Sequence, residues 1–315
     1  MSDLDPDFVR AQLTGWKAQG PFYIPDDSIP WMSGGAGAFF AMPSGPETVR
    51  LFLTGRDKTV RSRVGVVTLN WAEKPKAVDV TPTPVFDLGA LGDFDMDGVS
   101  YPWIVDRDGA LFMYYVGWNR LGGEIPFRNQ IGLAISEDGG KSFRRATRAP
   151  LLPLTDDESI GSGSCCVERV DGGWRLYYTN FLRWERQAGG VRHYYHIREA
   201  YSKDGFHWER PGKVVVDLMA PDEYALASPN LDVRDGDRVI HFTARGNRYK
   251  LFASVQHPSG FWQRLPRPIE IARSDFDSDM QCYPRSLNFR ERTYLLYSGN
   301  GYGRGGIGFA EWAPE

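Results

Sequence analysis

The chain has 315 residues, of which 42% are hydrophobic and 24% charged, which is the composition of a globular protein long enough to bury a sizeable core. Its net charge of −3 gives no electrostatic reason to expect nucleic acid or a membrane surface as a partner. Three cysteines, two of them adjacent, match neither a disulfide framework nor a zinc motif.

The N-terminal segment is acidic and lacks the apolar core of a signal peptide, and no apolar run approaches the roughly 18 residues of a membrane span. We therefore expect a cytoplasmic protein. After about residue 20 no long amphipathic helical pattern occurs. The 10 Trp, 15 Tyr, 35 Gly and 21 Pro residues favour a β-rich chain with many turns.

A short strand that ends at a small or polar residue recurs along the chain. It reads VRLFLTG to Gly55, LFMYYVG to Gly117, WRLYYTN to Asn180, VIHFTA to Ala244 and TYLLYSG to Gly299. The intervals are 62, 63, 64 and 55 residues. A sustained period of this size predicts stacked supersecondary units, and their β character favours propeller blades over a helical solenoid.

A second motif repeats in step with the first. IGLAISEDGGKSF (131–143) and IREAYSKDGFHW (197–208) each place Ser-x-Asp-Gly and an aromatic after a strand. LFASVQHPSGFW (251–262) is a degenerate copy and IGFAEW (307–312) a truncated one. The Asp-Gly pair suits a tight turn between outer strands, with the aromatic folding back onto the unit. We interpret this motif as structural.

Each unit also begins with an acidic loop that leads into a strand. These loops read DMDGVSYPWIV, DESIGSGSCCVERV, DEYALASPNLDV and SDMQCYPRSLNF, with a looser PDDSIPWMSGGAGAFFAMP in the first unit. The predicted fold is therefore all-β, a single five-bladed β-propeller of four-stranded antiparallel blades around a central channel. The domain spans 1–315, with blades at roughly 20–80, 81–148, 149–212, 213–266 and 267–315.

The acids of these loops are the candidate catalytic groups. In a propeller the inner strands line the channel, so acids at the start of different inner strands converge on one pocket. Two carboxylates at a suitable separation are the usual equipment for cleaving a glycosidic bond. The predicted catalytic residues are Asp97, Glu158, Glu223 and Asp279. Asp157 and Asp222 stand beside two of them and are equally possible, and capping of the loops is the alternative role.

These features resemble the five-bladed β-propeller glycoside hydrolases, families 43, 32, 68 and 130, over nearly all of the chain. The resemblance is carried by the inner strands paired with LYYTN-type strands and by SEDGGKSF and SKDGFHW. It implies that acids on successive inner strands serve as base or nucleophile, pKa modulator and general acid. By position these would be Asp97, Glu158 and Glu223, or Asp27, Asp97 and Glu158 if the blade register shifts by one.

The sequence departs from these families at their signature motifs. It has no Asn-Asp-Pro-Asn, Arg-Asp-Pro or Glu-Gly-Pro motif, and in ALASPNL the residue before Pro229 is Ser228. A divergent member is therefore expected, or a propeller that has lost hydrolysis.

Cationic side chains follow the repeated strands. Each connection carries Arg beside Asn, Gly or an aromatic, and Arg suits bidentate recognition of phosphate or carboxylate. Trp and Tyr offer stacking faces for sugar rings. The alternative is that these cations pair with acids on solvated loops. The predicted substrate-binding residues are Asp95, Tyr101, Trp118, Arg120, Arg128, Arg183, His193, Arg245, Tyr283, Arg285 and Arg304.

The remaining motifs predict little chemistry. His193 and His196 are too few for a zinc site, so no metal or cofactor is expected. Cys165 and Cys166 lie in a predicted inner strand and are expected to pack as small hydrophobic residues. The glycine-rich SGGAGAF and GYGRGGIG precede no helix and fit a phosphate-binding loop poorly.

Two classes of function follow. The first is a carbohydrate-active enzyme that breaks or transfers a glycosidic bond of an anionic or phosphorylated sugar, in sugar metabolism or polysaccharide assembly, with a phosphate-dependent phosphorylase as a variant. The second is a non-catalytic propeller that binds a glycan or a protein. The sequence leaves the sugar, the linkage and the oligomeric state open.

Overall fold

The computed structural model describes residues 4–314, and nearly all of its regular structure is β. Helix α1 (Pro6–Thr14) begins at Asp5, whose side chain accepts a hydrogen bond from the N–H of Asp7, as an N-cap does. Two 3₁₀ turns occur at Pro30–Met32 and Gly301–Gly303. No helix in residues 4–314 has the length and apolarity that crossing a membrane requires.

Within the described residues the strands form one four-stranded and two eight-stranded sheets. Each eight-stranded sheet consists of two antiparallel groups of four joined by one parallel pair, Ser62 with Gly98 or Tyr195 with Ala225, which gives five groups. The first four groups are β2–β5 (Gly35–Gly45, Thr48–Arg56, Ser62–Asn70, Lys76–Val80), β6–β9 (Gly98–Arg107, Ala110–Arg120, Phe127–Ser136, Arg144–Arg145), β10–β13 (Ser162–Val170, Gly173–Gln187, Gly190–Ser202, Val214–Val216) and β14–β17 (Ala225–Arg234, Asp237–Arg245, Tyr249–Gln256, Trp262–Arg264). The fifth group contains β18 (Cys282–Phe289), β19 (Arg292–Ser298), β20 (Ile307–Trp312) and β1 (Trp16–Tyr23).

The fifth group takes its fourth strand from the other end of the chain. Strand β1 pairs antiparallel with β20, with Trp16 opposite Trp312 and Tyr23 opposite Ile307. The first strands of the groups contact one another in cyclic order, β2 with β6, β6 with β10, β10 with β14, β14 with β18 and β18 with β2. The two ends of the chain are thus joined within one sheet.

The packing of a leading loop explains the glycine at the end of three of the five repeated strands. Gly55, Gly117 and Gly299 lie in or directly after the second strands β3, β7 and β19. A Cβ atom at Gly55 would lie 2.3 Å from the ring of Trp31, one at Gly117 2.4 Å from the ring of Phe94, and one at Gly299 2.2 Å from a backbone oxygen. These distances are shorter than van der Waals contact, so the leading loop of each of these groups packs where a side chain would otherwise stand.

The Ser-x-Asp-Gly motif forms the turns predicted from the sequence. Asp138 accepts hydrogen bonds from Ser136 and Ser142, and Asp204 accepts them from the N–H groups of Phe206 and His207. The aromatic residue of each motif packs against the preceding group: Phe143 forms an edge-to-face pair with Phe52, and Phe206 forms one with Phe112. The structural interpretation of this motif is confirmed.

Large buried aromatic residues fill the space between the groups. The fully buried side chains include Trp71, Tyr114, Tyr115, Tyr177, Tyr178 and Tyr297. The adjacent thiols of Cys165 and Cys166 are buried and free, and burial raises the pKa of Cys166 to about 12. These cysteines pack as small hydrophobic residues, as predicted.

Candidate functional site

A β-bulge interrupts each first strand at the same place. The pairing register shifts between Gly37 and Phe39, Ser100 and Trp103, Ser162 and Cys165, Ala227 and Asn230, and Cys282 and Arg285. Such bulges re-aim side chains and often occur beside functional sites. Four non-glycine residues at these bulges have positive φ, namely Ala38, Tyr101, Ser228 and Tyr283.

Hydroxyl groups of neighbouring strands support the strained backbone. The N–H of Tyr101 donates to Thr54 Oγ1 at 3.0 Å, and the N–H of Tyr283 donates to Thr243 Oγ1 at 2.9 Å. A non-glycine residue in this conformation costs of order 1–3 kcal/mol and persists only where its surroundings fix it. The bulges therefore hold the two tyrosines in defined positions.

Both tyrosines line a cavity of about 290 Å³. Its other walls are the start of β2, the end of β3 and the loop between β19 and β20. The lining residues are Gly34, Gly35, Ala36, Gly37, Ala38, Thr54, Arg56, Tyr101, Tyr283, Gly301, Tyr302 and Arg304. We call this cavity the tyrosine–arginine pocket.

The two glycine-rich segments pack against each other at the rim of this pocket. A Cβ atom at Gly37 would lie 1.9 Å from the carbonyl oxygen of Tyr302, and one at Gly303 would lie 2.2 Å from the carbonyl oxygen of Ala36. Arg304 donates from Nε and Nη2 to the carbonyl oxygen of Gly34 at 3.2 and 2.8 Å. Close backbone approach therefore explains both segments and fixes Tyr302 at the rim.

The pocket is cationic and contains no carboxylate among its described lining residues. The guanidinium of Arg56 has neither a hydrogen bond nor an ion pair with any residue of 4–314, and lies 5.9 Å from the centre of the Tyr302 ring. Burial raises the pKa of Tyr101 to about 12 and that of Tyr283 well above its usual value. At neutral pH the pocket thus offers a free guanidinium and protonated tyrosine hydroxyls.

A second guanidinium stands behind the rim. Arg245 donates to His193 Nε2 at 3.0 Å and lies over the rings of Tyr249 and Tyr224 at 4.6 and 5.1 Å. Burial and, to a smaller extent, the charge of Arg245 lower the pKa of His193 to about 4. The imidazole is therefore neutral at pH 7, as accepting this hydrogen bond requires. The hydroxyl groups of Tyr249 and Tyr302 are 3.1 Å apart and connect Arg245 to the rim.

Each of three loop acids accepts a hydrogen bond from a tyrosine that lies 20 residues after it in the sequence. Tyr115, Tyr178 and Tyr297 each donate their hydroxyl to the acid of their own group, at 2.8 Å to Asp95, 2.5 Å to Glu158 and 3.2 Å to Asp277. We call this contact an acid–tyrosine clamp. Because each tyrosine is on a second strand, the clamp ties the leading loop to its own group.

Arginines complete two of these clamps. Asp95 also accepts from Arg145 Nε at 2.8 Å, and Glu158 accepts from Arg198 and Arg210 at 3.2 and 2.7 Å. The sequence predicts Asp95 as a substrate-binding residue and Glu158 as a catalytic one. In the structure Asp95 is 0% exposed and Glu158 5% exposed, and neither lines the pocket. Both Glu158 oxygens and Asp95 Oδ2 accept from protein donors, whereas the buried Asp95 Oδ1 accepts from none of the described residues.

Glu223 occupies the same place in the fourth group and lacks a tyrosine. Its carboxylate forms a bidentate ion pair with Arg264, which itself lies over the ring of Phe242. Burial opposes ionisation of Glu223, but hydrogen bonds from Arg264 and from the N–H of Met219 outweigh it and lower its pKa. The sequence predicts Glu223 as the general acid, yet these contacts stabilise the ionised form, which cannot donate a proton.

The other two predicted catalytic acids have fewer partners. Asp97 accepts a hydrogen bond from the N–H of Arg120 at 2.9 Å, and Arg61 Nε lies 3.9 Å from its second oxygen. Asp279 is exposed, and its backbone N–H donates to Asn300 Oδ1 at 2.9 Å. Asp27, Asp157 and Asp222 are exposed as well.

The predicted binding residues divide between pocket, rim and interior. Tyr101, Tyr283 and Arg304 line the pocket, and Arg245 and His193 stand behind it. Arg285 is buried instead, with 3% exposure, where it donates to the carbonyl oxygen of Phe39 at 2.6 Å and lies over Trp103. The interior position of Arg285 corrects its assignment to ligand contact.

Four further predicted residues lie on strands β7, β8 and β11, and none of them lines the pocket. Trp118 donates to Ser62 Oγ at 2.7 Å and stacks under Arg120, which donates to the carbonyl oxygen of Thr59. Arg183 lies over Tyr194 at 3.8 Å, and Arg128 is exposed on β8.

The sequence interpretation missed Thr54, Arg56 and Tyr302. Arg56 directly follows the repeated strand that ends at Gly55, which is the same signal that identified Arg120 and Arg245 in other groups. Tyr302 lies inside the glycine-rich segment, where no periodicity marks it. Within residues 4–314 no three His, Cys, Asp or Glu side chains are grouped as metal ligands.

Comparison with curated proteins identifies two relatives of the chain. No family profile matches the chain. It is 33% identical over 303 residues to the uncharacterized protein Rv1502 of Mycobacterium tuberculosis strain H37Rv, a match that covers 94% of this chain and 98% of the mycobacterial protein. The protein MT1551 of strain CDC 1551 matches to the same extent. The chain belongs to the family of Rv1502.

Solved structures show the fold. A glycoside hydrolase superposes with a TM-score of 0.75 at 13% identity, covering 99% of this chain and 97% of the other. A structure from the family 130 mannoside phosphorylases gives 0.72 at 18% identity, with 100% and 97% covered. A thermostable family 43 glycoside hydrolase gives 0.66 at 15% identity, with 87% and 88% covered. The predicted resemblance is confirmed for the fold, which the chain shares with these glycoside hydrolases.

In this chain the bulges of the first strands carry no acid among the described residues. The resemblance predicts carboxylates on successive inner strands, but the strained positions are occupied by Ala38, Tyr101, Ser228 and Tyr283. The residue two positions before Pro229, where a Glu-Gly-Pro motif would place its acid, is Ala227. The pocket therefore differs in chemistry from what the resemblance implies.

Proposed function

We propose that the five groups are the blades of one five-bladed propeller, formed by a single domain of residues 1–315. The cyclic contacts of the first strands and the pairing of β1 with β20 support this arrangement. The tyrosine–arginine pocket then lies at one mouth of a central channel.

The pocket binds an anionic carbohydrate, and the free guanidinium of Arg56 carries this proposal. A partly buried guanidinium without a carboxylate partner favours an anionic ligand, because a charge-assisted hydrogen bond contributes about 1.5–3 kcal/mol. Tyr101, Tyr283 and Tyr302 add stacking faces and hydroxyl donors suited to a sugar ring. The fold shared with glycoside hydrolases supports a sugar over other anions.

Ligand-observed NMR tests the proposal directly. Saturation-transfer spectra would be recorded with glucuronate, galacturonate and glucose 1-phosphate, and with glucose and galactose as their neutral counterparts. We expect signals from at least one anionic sugar that vanish in Arg56→Gln. Arg169→Gln is the matched control. Arg169 is exposed, lies over the ring of Trp174 near the end of β10, and does not line the pocket. Equal signals from charged and neutral sugars would refute the proposal.

Cleavage or transfer of a glycosidic bond is the second candidate function, and the contacts of Asp97 favour it. Hydrolysis requires two carboxylates with different protonation states. Of the four predicted acids, Glu158 and Glu223 accept hydrogen bonds from arginines. Asp97 is 6% exposed and accepts from one backbone N–H, with Arg61 Nε 3.9 Å from its second oxygen, and Asp279 is exposed. These two are therefore the stronger candidates for base or nucleophile and for acid.

Turnover distinguishes the two functions. Proton NMR of an oligosaccharide and sugar-phosphate panel, with and without inorganic phosphate, would show new anomeric signals if a bond is cleaved. Loss of these signals in Asp97→Asn with binding retained would establish catalysis, and dependence on phosphate would identify a phosphorylase. Binding without products would leave the carbohydrate-binding function as the whole activity.

A further inference from the structure

The hairpin of the third group is longer than the others. Strands β11 and β12 have 15 and 13 residues, whereas the corresponding strands of the fourth group have 9 and 8. Its outer part pairs from Arg183 opposite Tyr194 to Gln187 opposite Gly190. Arg186 near its end donates twice to Glu124 at 2.8 Å, which ties the extension to the loop of the second group.

Arginine and tyrosine side chains of this extension form a chain of contacts with Tyr224, which precedes β14, and Arg245, which ends β15. Arg183 lies over Tyr194 at 3.8 Å, and Arg192 lies over Tyr224 at 4.8 Å. Tyr194 and Tyr224 are in edge-to-face contact at 6.4 Å. Arg245 lies over the same Tyr224 ring at 5.1 Å. We call these five residues the arginine–tyrosine row.

The row reaches the rim of the tyrosine–arginine pocket. Arg245 also lies over Tyr249 at 4.6 Å, and the Tyr249 hydroxyl is 3.1 Å from that of Tyr302, which lines the pocket. Contact is therefore continuous from the pocket to Arg183 and Arg192 on the hairpin.

The row is predominantly cationic. Arg192 and Arg245 have no ion pair with a carboxylate of residues 4–314, and Arg192 is exposed. Arg183 is 3.6 Å from Glu185, but 54% of its side chain is exposed. Stacking on a tyrosine holds each guanidinium in place. It leaves the N–H groups of exposed Arg192 free for a ligand, whereas Arg245 Nη1 donates to His193 and Tyr195.

We infer that the arginine–tyrosine row binds the successive units of an acidic oligosaccharide whose terminal unit occupies the pocket. The inference rests on the proposed function and extends it from a single anionic sugar to a chain of them. Contiguous planar rings and cations match a ligand that repeats a sugar face and a carboxylate. Nucleic acid also stacks on aromatic and arginine side chains, but the fold shared with glycoside hydrolases favours a saccharide.

Calorimetric titration across chain length tests this inference. The probes are oligouronates of one to four units, prepared from pectin, alginate and hyaluronan, and a single-stranded oligothymidylate. The variants are Arg192→Gln and Arg183→Gln, with Arg169→Gln as the control. For the best uronate series we expect affinity to rise with length, and Arg192→Gln to weaken the tetramer roughly tenfold, as expected for one charge-assisted contact, while leaving the monomer unchanged.

The outcomes separate this inference from the proposed function. Binding of the monomer with no gain from added units, or equal losses for monomer and tetramer in Arg192→Gln, overturns the inference alone. Binding of oligothymidylate that depends on Arg192 and exceeds that of every uronate also overturns it. Absence of binding by any acidic saccharide overturns the proposed function and the inference together.

Discussion

Replacement of Glu158 by glutamine removes one negative charge and almost no volume from a buried cluster. Tyr178, Arg198 and Arg210 donate to this carboxylate at 2.5, 3.2 and 2.7 Å, and its side chain is 5% exposed. In Glu158→Gln two arginines lose their shared counter-charge, and one amide oxygen remains to accept from three donors.

The expected loss of stability is about 3 kcal/mol. Breaking a buried ion pair by removing one partner costs about 3–5 kcal/mol. The lower end applies because the side chains of Arg198 and Arg210 are 16% and 12% exposed, so water relieves part of the penalty. Tyr178→Phe removes one hydrogen bond to a charged group and is expected to cost about 1.5–3 kcal/mol.

Urea unfolding followed by tryptophan fluorescence measures both changes, and an unchanged slope against urea would show that the midpoint shift reports stability. Glu124→Gln is the matched control, because Glu124 also forms an ion pair with an arginine but 54% of its side chain is exposed. Its loss is expected to be at most about 1 kcal/mol. A Glu158→Gln protein as stable as the wild type that has lost sugar turnover would refute the clamp and return Glu158 to catalysis.

Three further outcomes are expected. Gly37→Ala places a Cβ 1.9 Å from the backbone oxygen of Tyr302, so it should abolish binding of anionic sugars in the NMR assay. The control Gly189→Ala has open space around its Cβ and should leave binding intact. Equal binding by both variants would contradict the proposed packing. The pKa of His193 is lowered to about 4 from its usual 6.5, so the unfolded chain takes up a proton at higher pH than the folded protein does. Neutral His193 therefore contributes at most about 3 kcal/mol to the free energy of unfolding above pH 6.5, and this contribution is lost as the pH falls to 4. Urea midpoints across this range should fall less steeply in His193→Gln, and parallel profiles would contradict the assignment. Tyr297→Phe should lower stability by about 1–3 kcal/mol without changing sugar binding, and a change in binding alone would contradict its role as a clamp.

The five groups could be predicted because the repeated strand obeys one packing rule. A small residue recurs at Gly55, Gly117 and Gly299 because the leading loop of each of these groups packs against the second strand at that position. The pairing of β1 with β20 left no comparable signal, since its partners are Trp16 and Trp312 at opposite ends of the chain.

The roles of the acids could not be predicted from the sequence alone. An acid that faces a pocket and one that faces its own group look the same in a leading loop. The difference lies in partners that are distant along the chain, such as Tyr115, 20 residues after Asp95, and Arg145, 50 residues after it. Tyr101 and Tyr283 reach the pocket only because of a backbone bulge, which sequence patterns do not specify.

The measurement that tests the account most directly compares one sugar in two charge states. Calorimetric titration with galacturonate and with its methyl ester, or with the corresponding pair from the best acidic binder, changes the ligand charge and little else. The account predicts that the ester binds at least tenfold more weakly to the wild type, as loss of about 1.5 kcal/mol or more implies, and that Arg56→Gln removes this difference. Equal affinity for acid and ester, or a difference that persists in Arg56→Gln, would contradict the assignment of the pocket to an anionic carbohydrate.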